Sequence, residues 1–180
     1  ILINNKGIYE DRTKEICGEM IEPYGCVTDA TWADLDRDGD MDLVVCGEWM
    51  PVSVYENKGG KLNNVSKEYG TADILGWWTS LKVKDINNDN QPDIIAGNIG
   101  MNTKFKASPE RPIYVYAKDF DGNGTWDTYL ASKGKEGKIL PVRGKQCSSE
   151  QLPYIKTKFD TYEKFANASV EEILDGMMEN

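Results

Sequence analysis

The sequence predicts a mainly β chain: a partial β-propeller of about two to three blades, followed by a short helical C-terminal segment. Three observations predict it. Acidic, Gly- or Asn-punctuated loops recur at residues 34–42, 85–93 and 119–127. Asn-Lys-Gly turns between strand-like runs recur at Asn5-Lys6-Gly7 and Asn57-Lys58-Gly59. Each loop is entered and left by a β-rich stretch, and the turn offset of 52 residues, the tripeptide offset of 53 and the loop offset of 51 share one period. A period near about 50 residues, with several short strands in each unit, is the signature of propeller blades.

The elements follow in order. Ile3 to Tyr9 reads as strand, turn, strand, because Asn tolerates positive φ and Gly favours it. Thr13-Lys14-Glu15 then matches Ser66-Lys67-Glu68 after the second turn, which lies in Tyr55 to Leu62. Ala30 to Leu35, Leu81 to Ile86 and Ile113 to Phe120 lead into the three loops. Leu43-Val44-Val45, Ile94-Ile95-Ala96 and Tyr129-Leu130-Ala131 leave them. The third loop comes only 34 residues after the second, so the period breaks there, by shortening or insertion.

From Cys147 the character changes. Asp160-Thr161-Tyr162-Glu163 and Ser169-Val170-Glu171-Glu172 have capping-box spacing. Tyr162, Phe165 and Ala166, then Val170, Ile173 and Leu174, repeat at three and four residues, which predicts two short helices after a helical turn near Gln151 to Phe159. The expected division is therefore 1–146, β repeats, and 147–180, a helical insert or tail. The opening Ile1-Leu2-Ile3 stands in mid-pattern without Met, as if a targeting segment had been removed, and the end reads as cut. Propellers have about four to eight blades, so the remaining blades are expected in a longer chain.

Net charge is −9, and eleven of the 30 acidic residues fall in the three loops. An acidic chain offers no basic stripe, which sets nucleic acid aside. There is no run of about 18 apolar residues, hence no predicted membrane span. With no His and no CxxC pair among the four cysteines, zinc is not expected. Cys17 and Cys26 flank a turn-like segment and stand where a bridge can form, whereas Cys46 ends an apolar run and reads as a buried thiol.

The loops carry the chemistry. In Asp34-Leu35-Asp36-Arg37-Asp38-Gly39-Asp40-Met41-Asp42, side-chain oxygens at positions 1, 3 and 5 converge. The Asp40 carbonyl at position 7 and the Asp42 carboxylate at position 9 complete a shell. Calcium takes about six to eight hard oxygen ligands, and Gly at position 6 allows the sharp turn between them. The second loop offers Asp85, Asn87, Asp89, the Gln91 carbonyl and Asp93, with Asn90 in the Gly place. The third offers Asp119, Asp121, Asn123, the Thr125 carbonyl and Asp127. An EF-hand needs a Glu at position 12, but Val45, Ala96 and Leu130 stand there, all apolar, so the loops belong to hairpins. Carboxylate count ranks the Asp34 loop strongest among up to three Ca²⁺ sites, and Asn90 makes the second loop the most degenerate.

These stretches resemble FG-GAP or VCBS repeats, the units of the integrin α-subunit propeller. The match runs through Ala33-Asp34 to Val45, Asp85 to Asn98 and Asp119 to Asp127. The order of turn, Thr/Ser-Lys-Glu and loop is also similar to bacterial secreted proteins of the ASPIC/UnbV, cartilage-acidic-protein-like group. The resemblance implies one Ca²⁺ in the hairpin loop of each blade, with Asp34, Asp36, Asp38, Asp40 and Asp42 as first-site ligands. It further implies an extracellular, cell-surface or periplasmic module that binds protein or glycan and is not an enzyme. Gly76-Trp77-Trp78 is the aromatic pair expected to meet such a ligand. The alternatives are a carbohydrate-active propeller enzyme and a purely structural spacer. No G-x-S-x-G elbow is present, and the clustered carboxylates are committed to metal.

Overall fold

The computed structural model describes residues 1–18, 25–134 and 136–174. The residues between Gly18 and Gly25 and the chain's last six, on which the bridge-flanked turn and the cut end were read, lie outside the described residues. The chain is mainly β, with its strands in three antiparallel sheets and its helices short. It divides into two compact units, Ile1–Thr103 and Lys104–Asn180.

The first unit opens with a hairpin of β1 (Leu2–Asn5) and β2 (Ile8–Asp11), followed by the five-residue helix α1 (Thr13–Cys17). Its turn is Lys6-Gly7, with φ of 52° and 92°. Positive φ at both central residues is the turn that matches the twist of a two-residue hairpin. The Asn4 side chain closes it by accepting the Gly7 N–H at 2.8 Å.

A four-stranded meander follows: β3 (Cys26–Ala33), β4 (Asp42–Pro51), β5 (Ser53–Asn57) and β6 (Leu62–Asn64). β4 lies between β3 and β5, and β5 pairs with β6. This is the up-and-down sheet of a propeller blade. β4 is buried on both faces, which explains its continuous apolar run. Val44 and Cys46 join Leu35, Val52 and Val54 in one cluster, while Leu43 joins Cys17, Tyr55 and Leu62 in another.

The second repeat is shorter. β7 (Leu75–Lys84) and β8 (Asp93–Asn98) pair around the second acidic loop, and β7 also pairs with the far end of β4, Glu48 to Trp77 and Pro51 to Leu75. Between Asn98 and Ile113 there is no outer hairpin, only turns and one isolated bridge, Ser108–Arg111. The early break in the period is therefore a loss of two strands.

The structure also refines the turn offset. The β5–β6 turn is Gly59-Gly60, at φ 62° and 84°, closed by Asn57 accepting the Gly60 N–H at 2.9 Å. Its equivalent is Lys6-Gly7 closed by Asn4, so the Asn-Lys-Gly alignment was one residue out. The true offset is 53, the same as that of the tripeptide.

The second unit holds β9 (Ile113–Lys118), β10 (Asp127–Lys133) and β11 (Ile139–Pro141), in the order β11-β10-β9. It continues with α2 (Lys145–Gln151), α3 (Ile155–Lys158), α4 (Tyr162–Ala166) and α5 (Val170–Leu174). Phe120 of the acidic loop and Tyr129 and Ala131 of β10 share one core with Leu152, which follows α2, and with Ile155, Phe165, Val170, Ile173 and Leu174 of the later helices. The compact units thus divide at 103/104, and the change of sequence character at 147 falls inside the second.

Of the two capping boxes, Ser169 and Glu172 form theirs reciprocally: the Ser169 N–H donates to Glu172 at 2.6 Å, and the Glu172 N–H to Ser169 at 3.1 Å. The first cap is Thr161, which accepts the Lys164 N–H at 3.2 Å, while Asp160 pairs with the Lys164 ammonium instead. Cys17 and Cys26 are free thiols and form no bridge. Cys46 is a buried thiol, as its place in an apolar run predicts.

Candidate metal centres in the hairpin loops

All three loops are built by one scheme of side chains accepting backbone N–H groups. The carboxylate at position 9 accepts the N–H of position 2: Asp42 from Leu35 at 2.8 Å, Asp93 from Ile86 at 2.8 Å, Asp127 from Phe120 at 3.3 Å. Position 3 accepts from position 5, at Asp36, Asn87 and Asp121. Position 5 accepts from position 7, at Asp38, Asp89 and Asn123. Short polar side chains favour such local turns, which curl the loop so that its oxygens face inward.

Positions 4 and 6 are left-handed in every loop: Arg37 and Gly39 at 65° and 96°, Asn88 and Asn90 at 63° and 65°, Gly122 and Gly124 at 73° and 87°. Asn90 therefore takes the conformation that Gly takes elsewhere, and the substitution leaves the loop's shape intact.

The loops differ at position 1. Asp85 spends both oxygens on its own loop, accepting the N–H groups of Asn88 at 2.7 Å and Asn90 at 2.9 Å. Asp119 does the same for Asn123 and Gly124. In the first loop, Asp34 Oδ1 is buried and has no hydrogen-bond partner among the described residues. A buried carboxylate oxygen without a donor is costly unless a cation meets it.

Two acid triads converge. Asp34, Asp36 and Asp42 bring carboxylate oxygens within 4.8 Å of one another, and so do Asp119, Asp121 and Asp127. Asp42 is 1% exposed, and its second oxygen accepts the Asn57 N–H at 2.9 Å. The donor set, all hard oxygen and including the residue with the orphaned Asp34 Oδ1, fits Ca²⁺.

Asp38 and Asp40 are exposed and lie outside the first triad; position 7 is the loop's carbonyl position. Asn123 and Thr125 are tied to each other by both the N–H and the hydroxyl of Thr125. In the second loop Asn87 replaces a carboxylate, so Asp85, Asp89 and Asp93 make no such triad among the described residues. Asp89 is held below the usual carboxylate range by the Gln91 N–H, the Asn87 side chain and the charge of Arg37, and so is already satisfied by its neighbours.

The acidic field of the first loop reaches its surroundings. Lys58, paired with Glu56 at 2.6 Å, is pushed above the ordinary lysine value by that carboxylate first, then by Asp36 and Asp38. Tyr69 is pushed up by burial, with Asp42, Asp36 and Glu56 adding to it.

Sequence reasoning missed Asn57. Its N–H holds Asp42, its side-chain amide donates to the Met41 carbonyl at 3.1 Å, and its side-chain oxygen closes the next turn. The available signal was the Asn-to-Gly spacing repeated at Asn4 and Gly7.

Among the tryptophans, Trp78 is half-buried against the Leu35–Val44 cluster, and Trp77 tilts over Trp49 with ring centroids 5.6 Å apart. Trp126, at position 8 of the third loop, is far more open, 77% exposed.

Fold and loops together define an antiparallel β-repeat protein whose inner hairpins each carry an acidic loop at one end. Residues 34–96 match the family model of the FG-GAP-like repeat, running from the first loop to the strand that leaves the second. Comparison with curated proteins and with solved structures gave no match.

Proposed function

We propose that the chain is a calcium-binding β-repeat module, non-enzymatic, of a secreted or cell-surface protein, that presents a surface to a protein or glycan. The observation that carries the metal reading is Asp34 Oδ1, buried and without a hydrogen-bond partner among the described residues, in the triad with Asp36 and Asp42. Asp34, Asp36, Asp42 and the Asp40 carbonyl would hold one ion, and Asp119, Asp121 and Asp127 a second. Bound Ca²⁺ would cancel the repulsion of the gathered carboxylates and fix the loops to their strands. The FG-GAP-like match supports both the metal and an extracellular, cell-surface or periplasmic setting.

Calcium titration calorimetry on the chain and on Asp34→Ala, Asp119→Ala and Asp85→Ala tests the reading. The expected order of affinity loss is Asp34 first, Asp119 second and Asp85 least. No heat with the unaltered chain, or equal losses at all three, would overturn it.

A structural spacer is the second reading, favoured by the half-buried packing of Trp77 and Trp78. A glycan array run with and without EGTA separates the readings. Calcium-dependent retention without product supports the binding module, product formation an enzyme, and neither the spacer.

A further inference from the structure

The stretch leading into β9 has a charge of its own. Residues 104–112 hold Lys104, Lys106 and Arg111 against one acid, Glu110, in a chain of net charge −9. All three cations line one cavity of about 260 Å³, whose other walls are Phe105, Ile113 and Ser132. No carboxylate lines it among the described residues.

The backbone sets this arrangement. Ile113 opens β9 and pairs with Ser132 of β10, at the end of the hairpin away from the acidic loop, where Lys118 pairs with Asp127. Five residues separate the two ends, a span of about 17 Å. Exposed charges are screened over about 8 Å at physiological ionic strength, so the acid triad does not cancel the cations of the cavity. The Ser108–Arg111 bridge closes the turn that carries Arg111, with backbone bonds in both directions at 3.2 and 3.0 Å. Lys106 is left-handed at φ 48°, a strained conformation outside Gly that persists only where its surroundings fix it.

The charges are not consumed by the nearest acid. Glu110 lies outside the cavity lining, held below the usual carboxylate range by its own N–H and by the Ser108 hydroxyl, which donates at 2.8 Å. Lys104 lies over the Phe105 ring, 5.4 Å from its centroid. Neither Lys104 nor Arg111 pairs with a carboxylate among the described residues.

We propose that this cavity binds a small phosphate or sulfate ester, with Arg111, Lys104 and Lys106 on the oxyanion and Phe105 and Ile113 against the carbon skeleton. A guanidinium meets two oxyanion oxygens at once, and the ammonium groups add point charge. The Ser132 hydroxyl supplies a neutral donor. A cleft lined by one sign of charge concentrates anions, and its apolar walls favour an ester over the bare ion. The volume lies below the about 300–1,000 Å³ of sites for drug-sized ligands, which limits the occupant to one head group and a few carbons. The site stands apart from the calcium loops and does not depend on them.

The test is calorimetric titration of the 180-residue chain, stripped of calcium, with glucose 6-phosphate, glucose 6-sulfate and glucose. At least one ester should bind and glucose should not, and the preferred ester distinguishes a phosphate source from a sulfate source. Arg111→Ala should weaken binding about 10- to 100-fold, the loss expected for hydrogen bonds to a charged group. Arg111→Lys should weaken it less, because the charge stays while the fork goes. Arg111 is exposed, so both variants should keep the fold, which circular dichroism checks. Lys156→Ala, at an exposed lysine outside the cavity, should change nothing. Binding of neither ester overturns the proposal, as does glucose binding as tightly as the esters. Equal losses in Arg111→Ala and Lys156→Ala overturn it too, since they would show diffuse attraction to the surface. With calcium absent throughout, each of these outcomes leaves the calcium reading to its own titration.

Discussion

β3–β4 and β7–β8 share a bulge, a loop scheme and a register, yet Leu35 at loop position 2 is 5% exposed and its counterpart Ile86 is 62% exposed. The difference is not in the hairpins themselves. Leu35 lies in a cluster with Val52 and Val54, which belong to the stretch leading into and through β5. The second repeat has no such strand, so the same apolar residue faces solvent. A hairpin with an acidic loop therefore supplies the plan of a repeat, and the outer strands supply its core. The position-9 carboxylate shows the same split: Asp42 is buried under Asn57, whereas Asp93 is only half-buried.

The largest expected effect breaks this comparison at position 2. Leu35→Ala removes a buried side chain and leaves a cavity, at a cost of about 2–5 kcal/mol. Ile86→Ala, at an exposed site, should change stability by less than about 0.5 kcal/mol. Urea unfolding of the two variants measures both, and similar losses would show that the second repeat is as well covered as the first.

Much of this plan was legible in the sequence because it is local. The strands, the acidic loops, the Ser169–Glu172 cap and the rough period all follow from residues within one turn or hairpin of each other. What was not legible depends on contacts between distant segments. The truncation after Asn98 has no punctuation of its own, since residues 99–112 simply lack a strand pattern. The join of Tyr129 and Ala131 to Ile155 and Leu174 is a tertiary packing choice that composition does not report. In the loops, all fifteen oxygen positions could be named, but only the fold shows that Asp34, Asp36 and Asp42 meet while Asp38 turns back onto the Asp40 N–H.

Loop position 6 offers a finer contrast, of intermediate size. Gly39 sits at φ 96°, and a methyl group added there would meet only open space, so Gly39→Ala tests backbone conformation alone. It should cost about 1–2 kcal/mol, the penalty of an ordinary L-residue in the left-handed region. Asn90→Gly should be close to neutral, because Asn already tolerates φ 65° through its short polar side chain. Thermal unfolding in EGTA reads these costs without a metal contribution. A large gain from Asn90→Gly would mean that the second loop is strained and not merely poorer in carboxylates.

The smallest effect concerns the residue that ties a loop to an outer strand. Asn57→Ala keeps the backbone N–H to Asp42 but removes the bonds to the Met41 carbonyl and from the Gly60 N–H. At about 0.5–1.5 kcal/mol for each net hydrogen bond, with partial replacement by water at exposed groups, the loss should be about 1 kcal/mol. Asn4→Ala removes only the Gly7 bond at an exposed turn and should cost about half as much. If the two costs are equal, Asn57 acts only through its turn. If Asn57→Ala costs more and also loosens the Leu35 and Asn57 amides in hydrogen exchange, the outer hairpin holds the acidic loop in shape, the support that the second repeat lacks within its own sheet.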